Sequence, residues 1–125
     1  MLRTNGQKII RCNVEEIEAE LNHCMFDIIY SKNALDHTYN PIKAISNILC
    51  LLNDKGVVIL EHYNKEGEYT NYFGLHQWDF YIENGNFCIS SEDKHIVQDI
   101  NALYPLFDIE SYYEKNKIIN IIRKL

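Results

Sequence analysis

The strongest indication of the fold is the segment Phe26-Asp27-Ile28-Ile29-Tyr30-Ser31-Lys32-Asn33-Ala34-Leu35-Asp36-His37. It begins with an apolar run of strand length, Phe26–Tyr30, and continues into a short polar segment that ends in a histidine. A continuous apolar run of this length is typical of a parallel strand whose two faces are both buried. We therefore predict a buried parallel strand with polar residues gathered at its carboxyl end.

A helix and a second buried strand are predicted after this stretch. Asn40 can cap the helix, and Pro41 suits its first position because no intrahelical hydrogen bond is needed there. The apolar positions at helical spacing are Ile42, Ile45, Ile48, Leu49 and Leu52. The segment Asn53-Asp54-Lys55-Gly56 is predicted to end the helix, with Gly56 in the left-handed conformation. The second strand is then Val57–Leu60.

Two elements are predicted on the amino-terminal side, a short strand at Lys8–Val14 and a helix at Glu15–Leu21. On the carboxyl-terminal side, apolar and polar residues alternate from Trp78 to Glu83, and Asn84-Gly85 follows directly. This alternation with an Asn-Gly pair favours a β-hairpin with a two-residue turn.

The last third of the chain is predicted to hold one helix and two strands. Ser90 or Ser91 can cap the helix. The apolar residues on one face of this helix are Ile96, Val97, Ile100 and Leu103. The strands are Asp108–Tyr113 and Ile118–Arg123, joined at Lys115-Asn116. Alternating strands and helices predict an α/β sheet, and the lack of a linker predicts a single domain over residues 1–125.

Composition excludes several classes of protein. The net charge is −6 over 125 residues and no basic cluster exceeds Arg123-Lys124, so nucleic acid is excluded as a primary partner. No apolar run approaches the length of a membrane span and no signal-peptide pattern opens the chain, so we expect a cytoplasmic protein without a membrane partner. The cysteines lack a C-x-x-C pair and the histidines lack an H-x-x-x-H pair, so their spacing predicts no metal site.

The order of elements from Lys8 onward resembles the carboxyl-terminal half of a class I S-adenosylmethionine (SAM)-dependent methyltransferase domain, of the methyltransferase type 11 kind. In that family the strands of the sheet lie in the order 3-2-1-4-5-7-6, and strand seven is antiparallel. The resemblance identifies Ile9–Cys12 as strand three, Phe26–Tyr30 as strand four and Val57–Leu60 as strand five. The C-terminal pair is strands six and seven. It implies a partial Rossmann-like sheet with an inserted β-hairpin and an antiparallel C-terminal strand pair.

The resemblance also implies cofactor-binding residues. After strand three the family has an acid–small–Glu sequence that contacts the adenine of SAM, and Asn13-Val14-Glu15 stands at this position. After strand four, Tyr30-Ser31-Lys32-Asn33 occupies the loop that lies against the methionine part of SAM. The run Ala34-Leu35-Asp36-His37, with Pro41, is similar to the family's Leu-Glu-His…Pro run. The implied cofactor is therefore SAM, bound by Asn13, Val14, Glu15, Ser31, Lys32 and Asn33.

The glycine-rich loop of the family (its motif I) has no counterpart, because none of the five glycines forms a G-x-G. The resemblance therefore implies an N-terminally truncated domain without strands one and two. Strand four would then have an unpaired, apolar edge. We expect the isolated chain to be inactive unless its cofactor site is completed. We also expect a second copy or a partner chain to pair at this edge.

Three histidines are candidates for a catalytic base. His37, His62 and His76 are predicted to lie at or after the carboxyl ends of strands four and five, where α/β enzymes gather their sites. Methyl transfer to a hydroxyl or an amine benefits from a base, and imidazole titrates near neutral pH. For His37 a structural role, in which its ring would anchor the loop by hydrogen bonds to the backbone, is favoured over catalysis.

The sequence is compatible with three hypotheses about function. The first is a SAM-dependent methyltransferase, or a truncated fragment of one, that methylates a small-molecule or sugar-like acceptor. The alternative is a non-catalytic methyltransferase-like remnant or interaction module that self-associates or needs a partner to complete its sheet. The third is an unrelated α/β binding domain.

Overall fold

The computed structural model describes residues 2–4, 7–9, 12–17 and 25–125. The strands are β1 (Leu2–Thr4), β2 (Gln7–Ile9), β3 (Phe26–Lys32), β4 (Leu52–Tyr63), β5 (Trp78–Glu83), β6 (Asn86–Ser91), β7 (Val97–Asp99), β8 (Phe107–Glu114) and β9 (Lys117–Lys124). The α-helices are α1 (Pro41–Cys50), α2 (Glu66–Tyr69) and α3 (Ile100–Leu103), and the 3-10 turns are Val14–Glu16 and Leu35–His37.

A four-stranded sheet in the order β3-β4-β9-β8 forms the main framework. β3 runs parallel to β4 and is joined to it through α1, whereas β9 is antiparallel to both β4 and β8. The predicted parallel pair and the predicted C-terminal antiparallel pair are therefore both confirmed. Lys115 has a φ of 59° in the tight turn between β8 and β9, as predicted at Lys115-Asn116. The chain has a mixed α/β fold.

β3 is an edge strand of this sheet among the described residues, and the prediction that it is buried on both faces is wrong. The exposed fraction is 68% for Ile28 and 56% for Tyr30. The strand pairs with β4 alone within the described part of the chain, so its other edge receives no ladder hydrogen bonds there.

Helix α1 is shorter than predicted, because Leu52 belongs to β4 and not to the helix. Asn40 caps it as expected, with its side-chain oxygen accepting from the Lys43 N–H at 3.1 Å. Gly56 does not end the helix in a left-handed conformation; it lies buried within β4. A Cβ at this position would be 2.9 Å from the carbonyl oxygen of Phe26, so the glycine is required by close approach of two backbones.

The hairpin at Asn84-Gly85 is confirmed, with φ of 52° and 80° at its two turn residues. The predicted helix after Ser90 or Ser91 is wrong, because both serines lie in β6. Residues 97–99 instead pair with β6 as β7, and α3 begins only after Asp99. The Asp99 side chain accepts from the Ala102 N–H at 3.1 Å, and this local cap sets the start of the helix.

The amino-terminal predictions are met only in part. β2 covers the beginning of the predicted strand Lys8–Val14, but it pairs with β1 in a separate two-stranded sheet and forms no ladder with the main sheet among the described residues. Cys12 and Asn13 are not in a strand, and Val14–Glu16 is a 3-10 turn. Residues 10–11, in the predicted strand, and 18–21, in the predicted helix Glu15–Leu21, lie outside the described residues.

One hydrophobic core joins the main sheet, α1 and the three-stranded sheet β5-β6-β7. Its fully buried side chains include Ile45 of α1, Leu60 of β4 and Phe80 of β5. Val57–Leu60 contribute alternately, since Val58 and Leu60 are buried and Val57 and Ile59 are half-buried. Within the described residues, no helix has the length and apolar character needed to cross a membrane.

Candidate functional site

The carboxyl end of β3 is shaped by Asn33 and the 3-10 turn that follows it. Asn33 adopts a left-handed conformation with φ 50°, and its N–H donates to the carbonyl of Glu61 in β4 at 2.8 Å. Asparagine tolerates this conformation better than most residues. The chain therefore turns sharply away from the sheet and places Asp36 and His37 above the ends of the two parallel strands.

The His62 side chain, in β4, anchors the 3-10 turn Leu35–His37. Its Nε2 accepts a hydrogen bond from the Leu35 N–H at 3.3 Å, so Nδ1 carries the proton of the neutral ring. The ring is buried against Phe80, with 4.4 Å between the ring centroids. Burial lowers the pKa of His62 to about 4, which keeps the imidazole neutral at physiological pH. The anchoring role considered for His37 is thus one that His62 performs.

Asp36, His37 and His76 come together to form a group that we call the imidazole cluster. The Asp36 Oδ2 atom lies 3.1 Å from Nδ1 of His76 and 3.7 Å from Nε2 of His37. The two imidazole rings meet edge to face, with 4.7 Å between their centroids. The cluster thus unites two of the three predicted catalytic histidines, while His62 lies in the core beneath it.

The carboxylate of Asp36 is the buried member of the cluster. Its side chain is 6% exposed, and Oδ1 has no hydrogen-bond partner among the described residues. Buried polar atoms are normally paired, because an unpaired one loses its hydration without replacement. The imidazoles of His37 and His76 are partly open to solvent. The cluster therefore combines a buried, unpaired oxygen of Asp36 with two imidazole rings that solvent can reach.

His76 is held in place by the loop that follows α2. Gln77 donates from Nε2 to the carbonyl oxygens of Tyr72 at 2.6 Å and Gly74 at 2.9 Å, and this closes the loop. The Tyr72 hydroxyl donates to the buried Asp79 carboxylate, whose other oxygen accepts from the Glu68 N–H at 2.7 Å. Burial and the Asp79 carboxylate raise the pKa of Tyr72, so the phenol remains a donor. His76 thus belongs to a loop whose conformation is fixed by these hydrogen bonds.

A cavity of about 650 Å³ lies beside the cluster. Its walls come from residues 37–39, from the loop residues Gly74, Leu75 and Gln77 with Trp78 at the start of β5, and from residues 91–93. The indole N–H of Trp78 donates to the Thr38 carbonyl at 3.1 Å, which fixes the aromatic wall against the turn. A volume of this size accommodates a small molecule. His37 belongs both to the cluster and to the cavity wall.

The residues that the resemblance assigns to SAM fall into two groups, one at residues 13–15 and one at the end of β3. The Asn13 side chain accepts from the Glu15 N–H at 2.9 Å, and the Glu15 side chain accepts from the Tyr39 N–H at 2.8 Å. Val14 is half-buried and its carbonyl accepts from Asn47 of α1 at 3.2 Å.

The second group, Ser31, Lys32 and Asn33, closes β3. Lys32 is exposed and pairs with Glu61 of β4 in the ladder. In this second group, the side-chain Oδ1 of Asn33 is buried and has no hydrogen-bond partner in the described part of the chain.

Three features of the site went unrecognised in the sequence. The role of Asp36 is one of them, although an acid beside a histidine is a visible signal for an ion pair. The indole hydrogen bond of Trp78 joins residues 40 positions apart, as does the Asp36–His76 contact. Contacts of this span depend on tertiary structure, and no local pattern encodes them.

No protein-family model matches this sequence, and no curated protein matches it. Among solved structures, a crystal structure of a S-adenosylmethionine-dependent methyltransferase from Clostridium acetobutylicum ATCC 824 is similar to this chain with a TM-score of 0.49 and 12% identity. The alignment covers 81% of this chain and 59% of that one. This chain thus spans less than two thirds of that protein's length.

Proposed function

We propose that this chain is all or part of a SAM-dependent methyltransferase domain and that the cavity beside the imidazole cluster receives the methyl acceptor. SAM, when bound, supplies a methyl group on a sulfonium, and the protein's task is to align the acceptor with it. The observation that carries the proposal is the joint position of cluster and cavity at the carboxyl ends of the parallel strands β3 and β4. Ligands of open α/β sheets bind at this edge.

The order of the main sheet supports the same proposal. The observed order β3-β4-β9-β8, with β9 antiparallel, agrees with the order 4-5-7-6 that the family resemblance implies. An antiparallel strand inserted between two parallel ones is an uncommon arrangement. Agreement in both order and direction is therefore more informative than the presence of an α/β fold alone.

The cluster supplies a base for the acceptor. His37 lines the cavity, and Asp36 lies within 3.7 Å of its Nε2 atom. A carboxylate near an imidazole orients the ring and stabilises the imidazolium that forms when a proton is taken up. We assign His37 the role of proton acceptor, with Asp36 and His76 as positioning residues. The half-open cavity with its aromatic wall at Trp78 suits a small or sugar-like acceptor.

The end of β3 fits the methionine part of SAM. The unpartnered Oδ1 of Asn33 is an acceptor for an ammonium group, and a ligand donor would satisfy it. Asn13, Val14, Glu15, Ser31 and Lys32 complete the proposed cofactor contacts. The Glu15 side chain ties the turn 14–16 to the loop before α1 by accepting from the Tyr39 N–H.

Calorimetric titration with SAM up to millimolar concentration tests this proposal. We expect binding by the wild-type chain and weaker binding by Asn33→Gly, since glycine keeps the left-handed backbone and removes the amide. Asn84→Gly is the matched control, because Asn84 has a similar φ of 52° in the distant β5–β6 turn. The absence of heat with the wild-type chain, or equal affinity in both variants, would contradict the proposed cofactor site.

The alternative, a non-catalytic module that completes its sheet with a second chain, has one observation in its favour. The edge of β3 presents Phe26, Ile28 and Tyr30 to solvent, and an apolar groove of about 260 Å³ lies against them. Exposed apolar edge strands favour pairing with another strand. Self-association without any SAM binding would favour this alternative over methyl transfer.

A further inference from the structure

The imidazole cluster has the donor atoms of a metal site. Asp36, His37 and His76 each offer one ligand atom, and the three atoms all lie within 4.8 Å of one another. Two of the separations are 3.1 Å and 3.7 Å, both measured from the Asp36 Oδ2 atom. In a tetrahedral zinc site with bonds of about 2.0–2.1 Å, neighbouring ligand atoms lie about 3.4 Å apart. Two of the three donor separations are therefore close to those that a tetrahedral metal ion imposes.

The second observation is that one of the two oxygens of the Asp36 carboxylate is unsatisfied. Asp36 is 4% exposed, and its Oδ1 atom is buried without a hydrogen-bond partner among the described residues. A charge in this position is costly unless it is paired or coordinates a metal. The described side chains around it offer two imidazoles, which are good ligands but carry a positive charge only when protonated. A cation between these groups would neutralise the carboxylate.

From these two observations we infer that Asp36, His37 and His76 bind a divalent transition-metal ion, with Zn²⁺ as the best match. Two imidazole nitrogens and one carboxylate oxygen suit Zn²⁺ and its neighbours, whereas Mg²⁺ and Ca²⁺ prefer sites built of oxygen alone. The spacing of the histidines along the chain predicted no metal site, because His37 and His76 come from separate loops.

The surroundings of the cluster fit a site with an open position. His37 and His76 are partly exposed and His37 lines the cavity, so a water molecule or a ligand in the cavity can reach the ion. Three protein ligands with one open position are characteristic of catalytic zinc sites. On the far side of His76, the Glu66 Oε1 atom lies 3.9 Å from Nε2. Carboxylates in this position commonly orient metal-bound histidines.

Metal binding stands apart from the proposed methyl transfer, since it requires neither SAM nor an acceptor. Where both occur, His37 acts as a ligand and not as a free base. A hydroxyl of the acceptor bound at the open position would then lose its proton more readily, because the metal stabilises the alkoxide.

Titration of the reduced, metal-free protein with Zn²⁺, and separately with Co²⁺ under visible spectroscopy, tests the inference without any enzymatic readout. We expect one ion per chain, and we expect affinity to fall at least about tenfold in His37→Ala and in His76→Ala. Asp36→Asn should have the same effect. Because His37 is partly exposed, His37→Ala keeps the test valid if the Asp36 variant does not fold.

The control is His95→Ala. His95 forms a similar pair with Asp93, at 3.7 Å, but both side chains are exposed and no second histidine is close to them among the described residues. We expect wild-type affinity from this variant. Absence of binding, equal affinity in the His76 and His95 variants, or thiolate charge-transfer bands in the Co²⁺ spectrum would overturn the inference, the last because cysteines would then be the ligands.

Discussion

The three histidines near the parallel strands differ in environment, and this difference determines what each can do. His62 is buried and neutral; its Nε2 accepts from the Leu35 N–H, and its Nδ1 has no partner among the described residues. His37 and His76 are accessible and share the Asp36 carboxylate. The core histidine therefore shapes the loop, and the two accessible histidines carry the chemistry that we propose.

At the residue scale, His62 predicts a pH dependence of stability. The unfolded chain takes up a proton on this ring near pH 6.5, whereas the folded chain does so only near pH 4. The unfolded state thus binds more protons between these values, and the stability present above pH 6.5 is lost as the pH falls towards 4. The loss is about 3 kcal/mol, measurable as the free energy of unfolding in urea at several pH values.

Two variants separate this effect from other titrations. His62→Gln removes the titrating group, so we expect most of the pH dependence between 6.5 and 4 to disappear. His95→Gln, at a largely exposed histidine, should retain the wild-type dependence. The same pH dependence in wild type and His62→Gln would show that His62 is not buried as a neutral ring.

At the element scale, β4 depends on a glycine for its pairing with β3. A Cβ on Gly56 would lie 2.9 Å and 3.0 Å from the carbonyl oxygens of Phe26 and Asp27, which cannot move without breaking the register. We expect Gly56→Ala to destabilise the fold by about 1–3 kcal/mol. Chemical denaturation measures this, with Lys55→Ala, at an exposed neighbour in the same strand, as a control that should change stability little. Equal stability of both variants would contradict the close approach.

Local sequence patterns predicted those elements that are determined by local chemistry. The Asn84-Gly85 hairpin, the Asn40 cap and the parallel pair β3 and β4 follow from turn residues, a capping side chain and apolar runs. The predicted helix after Ser91 failed because residues 97–99 find a ladder partner in β6, and tertiary pairing outweighs a weak helical pattern. Gly56 was misassigned because a capping glycine and a close-approach glycine are indistinguishable in sequence.

The candidate site, too, combines features that the local sequence predicts with features that depend on tertiary contacts. His37 and His76 were identified by residue type, because imidazole is the usual base near neutral pH. That both residues contact Asp36, and that His62 is instead buried in the core, cannot be predicted locally. These contacts join segments that are distant in the chain. The sequence therefore predicts which residues are chemically able to act, and the fold determines which of them meet.

At the scale of the whole molecule, the exposed edge of β3 predicts self-association. We expect sedimentation of the wild-type chain to show a concentration-dependent dimer and Ile28→Lys to weaken it at least about tenfold, since a charge on an edge strand blocks pairing. Leu106→Lys is the control, because Leu106 is equally apolar and exposed but lies before β8. A wild-type chain that stays monomeric at every concentration would contradict the predicted pairing of β3 strands between two copies.

The proposed function places SAM at one defined edge of the main sheet. A ¹⁵N-labelled sample titrated with SAM and followed by amide chemical shifts tests this most directly, because it reports both binding and position. We predict shifts at Ser31, Lys32 and Asn33 and at residues 13–15, with residues 123–125 at the opposite end of the main sheet unaffected. No shifts at millimolar SAM, or shifts confined to residues far from the carboxyl end of β3, would contradict the proposal.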